Sequence, residues 1–175
     1  MQTGLLEYWV LIIFAGLPGT GKTALANELT RRIDATYLRI DSIEQAMTNS
    51  SLKINPTEDA GYLVGYAVAQ DNLRMGRTVV ADSVNPLELT RTAWLNAAKR
   101  AGCPGIEVEV VCSDSLEHRK RIETRTADIS GMTLPTWQNV LDREYHPWNR
   151  DHIVIDTAGK SIKQSVDELL TRLPF

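Results

Sequence analysis

Short apolar runs alternate with amphipathic segments along almost the whole chain. Five β-prone runs predict strands, at Tyr8–Ala15, Ala35–Ile40, Thr78–Asp82, Gly105–Cys112 and His152–Asp156. Apolar residues at helical spacing predict helices at Thr23–Ile33, Ile43–Met47, Glu58–Met75, Leu87–Ala101, Ser115 to about Thr126, Thr136–Tyr145 and Ser161–Leu173. Strands that alternate with helices are typical of a parallel sheet with helices on both faces. The pattern therefore predicts an α/β protein with three layers, α/β/α, around a five-stranded parallel sheet.

Size and composition restrict the choice of function. The 175 residues suit a single domain spanning 1–175, and the net charge of −3 gives no overall attraction to a polyanionic partner. Cys103 and Cys112 cannot form a disulfide framework, which suits a reducing cytoplasm. The first apolar run has no basic leader and follows Glu7, so we interpret it as a strand and not as a signal or membrane segment. Whether residues 1–7 belong to the native protein is left open.

The turn after the first predicted strand carries the clearest chemical signal. Its residues are Gly16-Leu17-Pro18-Gly19-Thr20-Gly21-Lys22-Thr23, with the spacing G-x-x-x-x-G-K-[ST]. In such a loop the glycines let backbone N–H groups surround a polyphosphate, the lysine reaches the β- and γ-phosphates, and the hydroxyl reaches Mg²⁺. The predicted helix after the loop directs its positive N-terminal dipole at the phosphates. The segment therefore predicts binding of ATP and Mg²⁺, with Lys22 as a catalytic cation and Thr23 as a metal ligand.

Two further predicted strands end in aspartate. Asp41 follows the second strand, at the edge of a parallel sheet where ligands bind, and is a candidate for the acceptor side of a reaction. Asp41-Ser42 could equally be only the N-cap of the next helix. Asp82 ends the third strand and is predicted to hold Mg²⁺ through water. Asn85 and Arg91, which follow it, are candidates for contact with the acceptor together with Asp41 and Asp82.

The segment from about 114 to 148 is predicted to be a lid. Arg121 and Arg125 lie four residues apart on its first helix, as two guanidinium groups that close over phosphates would. Closure of a lid excludes water, which protects ATP from hydrolysis. Four aromatic side chains could line an acceptor pocket or pack the lid onto the body, and packing is favoured for at least half of them: Trp137, Tyr145, His146 and Trp148. The turn that starts at Thr157 is predicted to hold the adenine.

These features together resemble the small P-loop kinases, which are P-loop NTPases of nucleoside-kinase-like fold. Within them the chain is similar to the group with the phage-type polynucleotide 5′-kinases, chloramphenicol phosphotransferase and the zeta toxins. Four stretches carry the resemblance: Gly16–Thr23, Asp41-Ser42 with Ile43–Ala46, Asp82–Pro86 with Arg91 and Trp94, and Arg121-x-x-x-Arg125. The first stretch is shared by many NTPases. The third is similar to the polynucleotide kinases and the second to chloramphenicol phosphotransferase.

The resemblance implies roles for individual residues. Asp41 would orient or deprotonate an acceptor hydroxyl, while Arg121 and Arg125 would be lid arginines on the phosphates. The chain departs from the polynucleotide kinases at Arg39-Ile40-Asp41, where it has one acid instead of two adjacent ones, and it lacks their phosphatase domain. We therefore expect a Mg²⁺-dependent kinase that phosphorylates a hydroxyl of a small molecule. The alternatives are a nucleotide or polynucleotide 5′-hydroxyl kinase, and an ATP-binding switch protein that has no acceptor.

Overall fold

The computed structural model describes residues 9–174 and contains one fully parallel sheet. Its strands are β1 (Leu11–Ala15), β2 (Thr36–Arg39), β3 (Val79–Asp82), β4 (Gly105–Val111) and β5 (Ile153–Asp156), in the order β2-β3-β1-β4-β5. Every residue of β1 is buried, because this strand lies at the centre of the sheet and is covered on both faces. The predicted fold class is confirmed.

Seven helices surround the sheet in the part of the chain that is described. They are α1 (Lys22–Ile33), α2 (Ile40–Asn49), α3 (Ala60–Arg74), α4 (Glu88–Ala101), α5 (Ser115–Thr124), α6 (Trp137–Leu141) and α7 (Ile162–Arg172). Helices α1 and α7 bury one face of the sheet in a core that includes Phe14 and Val110. Helices α3 and α4 bury the other face in a core that includes Ile13 and Trp94. Two apolar layers thus hold the sheet between helices.

The register of the strands brings the predicted chemistry to one edge of the sheet. Phe14, at the end of β1, lies opposite Asp82 of β3, and Arg39, at the end of β2, also lies opposite Asp82. Because all five strands are parallel, their carboxyl ends meet on this edge. The loop after β1 and the first turn of α2 are therefore neighbours.

Some predicted boundaries differ from the structure. The strand predicted to end at Ile40 ends at Arg39, and α2 begins at Ile40, three residues before its predicted start. Helix α6 ends at Leu141, whereas the predicted helix extended to Tyr145. The open question about residues 1–7, and Tyr8 at the start of the first predicted strand, lie outside the described residues. Between residues 9 and 174, none of the helices has the length and apolar character needed to cross a membrane.

Candidate functional site

The loop after β1 is folded tightly between the ends of its neighbouring strands. The backbone N–H of Gly16 donates to the carbonyl of Val84 at 3.0 Å. A Cβ atom at Gly16 would lie 2.2 Å from the carbonyl oxygen of Val110, so no other residue fits there without a shift of the backbone. Gly19 and Gly21 have φ values of 83° and 92°, a conformation that favours glycine. The glycines of the motif are thus required by the shape of the loop.

The first turn of α1 presents positive charge to an open cleft. Gly21 is the N-cap and supplies no side chain to bond the free N–H groups of the turn. Lys22 and Thr23 both line the cleft, and Lys22 is 8% exposed. No carboxylate within residues 9–174 lies within ion-pair distance of the Lys22 ammonium. Uncapped N–H groups beside an unpaired lysine form a site that fits a polyphosphate.

Helix α5 lies directly against this loop. The Nε2 atom of His118 is 2.7 Å from the carbonyl oxygen of Pro18. A Cβ atom at Gly19 would lie 2.6 Å from Cδ1 of Ile122, one helical turn further along α5. The ring of Trp137, in α6, meets the His118 ring edge-on with 5.1 Å between centroids. His118 belongs to a charged stretch of sequence, yet it is buried and joins α5 to the loop.

Arg121 also ties α5 to the loop. Its guanidinium donates to the hydroxyl of Thr157 at 2.8 Å and to the carbonyl of Thr157 at 3.0 Å, and it pairs with Glu117. The Thr157 hydroxyl in turn donates to the carbonyl of Thr20 at 2.7 Å. Arg121 thus reaches the cleft from a fixed position, next to both the loop and the turn after β5.

Replacement of Thr157 with valine is expected to destabilise the protein by about 1–3 kcal/mol. Valine keeps the shape of the side chain, but one N–H of Arg121 loses its acceptor and the carbonyl of Thr20 keeps only a long bond of 3.5 Å from Arg121. Urea unfolding measures the change. The control is Thr171→Val on the exposed face of α7, for which we expect a change within about 0.5 kcal/mol. Equal stability of the two variants would show that this contact contributes nothing.

A second, smaller cavity opens on the other side of Arg121. Its volume is about 270 Å³, and its walls come from the start of α1, the turn after β5 and α7. The lining residues are Gly21, Ala24, Leu25, Arg121, Thr157, Lys160, Ile162 and Ser165. The hydroxyl of Ser165 is buried and has no hydrogen-bond partner in the structure. The cavity is mostly apolar, which suits a flat aromatic group.

Arg125 lies just beyond the last turn of α5 and lines the main cleft. Burial lowers the pKa of its guanidinium below the ordinary value, and the charges of Asp41 and Asp128 oppose this effect. An arginine stays protonated under such shifts. Arg121 and Arg125 therefore both bring positive charge to the cleft, although only Arg121 lies within the helix.

The main cleft has a volume of about 1600 Å³ and extends from the loop to α2, α3 and α4. Residues 132–135 and the region around Arg143 form its outer wall. This space is large enough for a nucleotide phosphate chain together with a second molecule. It joins Lys22 at one end to Asp41 at the other.

Asp41 lies in the first turn of α2 and faces this cleft. The N-cap of α2 is Arg39, and no side chain caps the helix. The alternative in which Asp41 serves only as the N-cap is therefore wrong. Nη2 of Arg39 lies 3.6 Å from the Asp41 carboxylate, and the same guanidinium forms a bidentate ion pair with Asp128. The Asp41 carboxylate keeps about a third of its surface exposed. It is therefore available to a molecule in the cleft.

Glu44, which the sequence did not single out, follows Asp41 by three residues on the same helix and also lines the cleft. Its side chain lies against α3 at Gly61, where a Cβ atom would be 2.4 Å from Cγ of Glu44. Burial raises the pKa of Glu44, the nearby Asp41 charge raises it further, and Arg143 opposes both. The predicted helix began at Ile43, and for this reason the sequence did not place Glu44 beside Asp41.

Tyr62 and Ser83 add two hydroxyl groups to the cleft wall. The Tyr62 hydroxyl accepts a hydrogen bond of 3.2 Å from the backbone N–H of Asn85. Burial raises the pKa of Tyr62 to about 12, so this hydroxyl stays protonated. Ser83 is 3% exposed, and its hydroxyl lies beside that of Tyr62 without meeting the geometry of a hydrogen bond.

Asp82 is buried at the end of β3, behind the loop. Its carboxylate accepts a hydrogen bond of 2.8 Å from the hydroxyl of Tyr37, whose pKa is raised first by burial and then by the Asp82 charge. Asp82 is 2% exposed and does not line the main cleft. This position suits an indirect contact with bound phosphates better than a direct contact with an acceptor.

Asn85 and Arg91, predicted to contact the acceptor, lie behind the cleft wall. The Asn85 amide donates to the carbonyl of Phe14 at 2.8 Å, and Arg91 donates to the carbonyls of Asn85 at 2.9 Å and His146 at 2.8 Å. The guanidinium also stacks on Trp148, 4.1 Å from the ring centre. These contacts hold residues 146–148 against the start of α4, and we assign both side chains a positioning role.

Replacement of Arg91 with methionine is expected to destabilise the protein by about 2–3 kcal/mol. Methionine fills much of the same volume, but the buried carbonyls of Asn85 and His146 lose their donor. Thermal or urea unfolding measures the loss. On the same helix, Arg100→Met changes an exposed arginine and should have almost no effect. If the two variants unfold alike, Arg91 is not a structural residue.

Of the four aromatic residues of the predicted lid, Trp137 packs on His118 within the lid and the other three pack against the body, and none of the four lines the main cleft. The Tyr145 hydroxyl donates to Glu109 at 3.0 Å, and Trp148 stacks on His152 with 3.9 Å between ring centres. The ring of His146 accepts from the backbone N–H of Glu88 at 3.4 Å. This region of the chain is thus fixed to β4 and α4.

The sequence matches a known protein family over residues 11–144, from β1 to just beyond α6. The family is described as AAA domain. This chain belongs to that AAA-domain family. The match includes the loop after β1, Asp41, Asp82, Arg121 and Arg125. No curated protein matches the sequence significantly.

Several solved structures share the fold of this family member. APS kinase CysC of Mycobacterium tuberculosis, in complex with AMPPNP and APS, aligns over 95% of this chain and 98% of its own at 18% identity, with a TM-score of 0.70. A gluconokinase from Sinorhizobium meliloti 1021 aligns over 95% and 92% at 18% identity, with a TM-score of 0.66. Kti12 of Chaetomium thermophilum, in complex with ADP-AlF3, aligns over 92% and 97% at 20% identity, with a TM-score of 0.65. The chain thus has the fold of the small P-loop kinases.

Proposed function

We propose that this AAA-domain protein is an ATP- and Mg²⁺-dependent kinase that phosphorylates a hydroxyl group of a small molecule. The observation that carries the proposal is the continuous cleft between Lys22, in the phosphate-binding loop, and the available carboxylate of Asp41. A donor site and an acceptor carboxylate in one cleft suit the transfer of a phosphoryl group. That several proteins of the same fold are named as kinases, and one holds AMPPNP, supports this reading.

The phosphate-binding loop and α5 supply the positive charge that the reaction requires. Lys22 and the N–H groups at the start of α1 would bind the β- and γ-phosphates, and the hydroxyl of Thr23 would help to hold Mg²⁺, which would neutralise phosphate charge. Asp82 would support the metal through water. Arg121 and Arg125 neutralise charge from the side of α5. ATP supplies the phosphoryl group, whose bond to the β,γ-bridging oxygen breaks with its electron pair leaving on ADP.

Asp41 acts on the acceptor. Its carboxylate orients the hydroxyl and takes up the proton as the acceptor oxygen forms the new bond to phosphorus. The ion pair with Arg39 keeps the carboxylate in place. Most of the acceleration comes from position and charge and not from covalent chemistry by the protein.

The smaller cavity suits the adenine. Its apolar walls lie between α1 and α7, directly beside the loop, and Thr157 and Arg121 form the side that faces the phosphates. The unpaired hydroxyl of Ser165 is a hydrogen-bond donor for a ring nitrogen of the base. Residues 114–148 form the lid of the site, and their loop 132–135 covers the main cleft.

A panel of hydroxyl compounds, scored for ADP release that depends on the acceptor, tests the proposal. We expect ATP binding with every sample and rapid ADP release only with members of one acceptor class. ATP binding without acceptor-dependent release would support the alternative of a nucleotide-dependent switch, which requires no acceptor site. Strongly salt-dependent binding of oligonucleotides would support a polynucleotide kinase.

A further inference from the structure

The side of the main cleft that carries Asp41 is strongly acidic. We call it the acceptor wall, and it consists of the cleft-lining residues of α2, α3, the turn before α3, and residues 139–143. It contains five carboxylates, from Asp41, Glu44, Glu58, Asp59 and Asp142. Two arginines, Arg39 and Arg143, lie on the same side. Arg39 is shared between Asp128 and Asp41, and Arg125 also acts on Asp41 from outside this wall, so Arg143 is the one cation without an ion-pair partner among the described residues on this side.

Among the carboxylates of this wall that have no ion-pair partner in the described residues, Glu44 is partly buried, whereas Glu58, Asp59 and Asp142 are exposed. Within the described part of the chain, no cation lies within ion-pair distance of the Glu44 carboxylate, whereas Asp41 has Arg39 at 3.6 Å. Its side chain is held in the wall because Gly61 leaves room for it. Arg143 acts on the Glu44 charge from beyond ion-pair distance, and a ligand with positive charge would further stabilise this partly buried carboxylate.

A second feature of the same wall also points to a polar ligand. Ser83 lines the cleft and is 3% exposed, and within residues 9–174 its hydroxyl has the Tyr62 hydroxyl beside it but no partner that meets the geometry of a hydrogen bond. Beside it, the Tyr62 hydroxyl accepts a bond from the backbone N–H of Asn85, and because the Tyr62 and Ser83 hydroxyls are close enough to interact, one proton of the two is left for a ligand. Buried polar atoms without partners are rare in folded proteins. These two hydroxyl groups are positioned to bind further oxygen or nitrogen atoms of the acceptor.

We infer that the acceptor is a hydroxyl compound with a protonated amine, and that Glu44 binds the amine while Asp41 binds the hydroxyl. The inference rests on the proposed kinase function. Asp41 and Glu44 lie one helical turn apart on the same face of α2, so one small molecule can reach both. An acceptor with a phosphate, sulfate or carboxylate group would meet like charge at this wall, which disfavours its binding. The hydroxyl proton passes to Asp41, and the amine keeps its proton throughout the transfer.

Charged thiol reagents measure the potential at the acceptor wall without any need for turnover. Leu63→Cys places a thiol at an exposed position in the cleft, and Val64→Cys places one outside the cleft on the same helix. Each variant is treated with methanethiosulfonates that carry either a trimethylammonium or a sulfonate group. The rate at each cysteine is read by peptide mass spectrometry, which separates it from Cys103 and Cys112.

We expect the ratio of cationic to anionic labelling rates to be at least about fivefold higher at position 63 than at position 64. Adding Glu44→Gln to Leu63→Cys should lower that ratio about twofold. Adding Asp71→Asn, which removes an exposed carboxylate outside the cleft, should leave it unchanged. A ratio at position 63 equal to or below that at position 64 would overturn the inference.

Turnover with matched acceptors tests the substrate class directly. Sets such as glucosamine, glucose and glucuronate differ mainly in charge, and we expect the cationic members to give the highest kcat/KM. With a cationic acceptor, Glu44→Gln should raise KM about tenfold or more and change kcat little, while KM for the neutral analogue stays constant. The greatest ADP release with anionic members would overturn the inference. A high labelling ratio with no ADP release from any compound would instead reject the kinase function.

Discussion

Replacement of Lys22 with alanine is expected to lower kcat for phosphoryl transfer by at least about 10²–10³-fold. The lysine lies at the first position of α1, unpaired with any carboxylate of the described residues, and faces the main cleft. In the proposed reaction its charge is needed most as negative charge moves onto the leaving oxygen. Steady-state measurement of ADP release, with a saturating acceptor, gives the change in kcat.

The control for this variant is Lys163→Ala. Lys163 is an exposed lysine on α7, and its loss should leave kcat within about twofold of the original protein. Circular dichroism and urea unfolding of both variants show whether the fold is kept. A Lys22→Ala protein that folds normally and keeps its kcat would contradict the role given to the phosphate-binding loop.

Replacement of Asp41 with asparagine is expected to lower kcat by about 10²–10⁴-fold while the affinity for ATP stays the same. Asparagine preserves the size of the side chain and its hydrogen-bonding capacity, but it cannot accept the proton of the acceptor hydroxyl. Because no side chain caps α2, the loss of activity cannot be attributed to a lost helix cap. Titration with a fluorescent ATP analogue measures binding, and ADP release measures turnover.

Ser42→Ala, at the exposed neighbouring position, is the matched control for Asp41→Asn. It alters the same turn of α2 without touching the charge, and we expect it to keep both binding and turnover. Unchanged phosphoryl transfer in Asp41→Asn would remove Asp41 from the acceptor site. A parallel loss of ATP affinity would instead place Asp41 on the nucleotide side of the cleft.

The sequence alone predicted the fold well because the fold depends on local patterns. Runs such as Leu11–Ala15 are apolar throughout, which indicates a strand buried on both faces, and the phosphate-binding loop has a spacing that occurs directly between a strand and a helix. The roles of Lys22, Asp41, Arg121 and Arg125 at the site stay predictions. The structure places all four residues in the lining of one cleft, as these roles require.

What the sequence could not predict depends on contacts between distant segments. Helix α2 begins at Ile40 because this side chain packs into α3 where Gly65 has none; a Cβ atom there would lie 2.5 Å from Cδ1 of Ile40. Read locally, Arg39-Ile40 continues a strand. Likewise, the burial of Arg91 depends on Trp148 and on the carbonyl of His146, more than fifty residues away in the chain, so its positioning role had no local signal.

The contact between α5 and the loop after β1 fixes the first helix of the predicted lid to the phosphate-binding loop. His118 is bonded to the carbonyl of Pro18, and Ile122 occupies the space beside Gly19, so α5 and the loop form one packed body. The chain leaves helical geometry at Arg125, directly after this body ends. We propose that a hinge for opening the cleft would lie at Arg125 or beyond it, so that α5 would keep Arg121 beside the loop in both the open and the shut state.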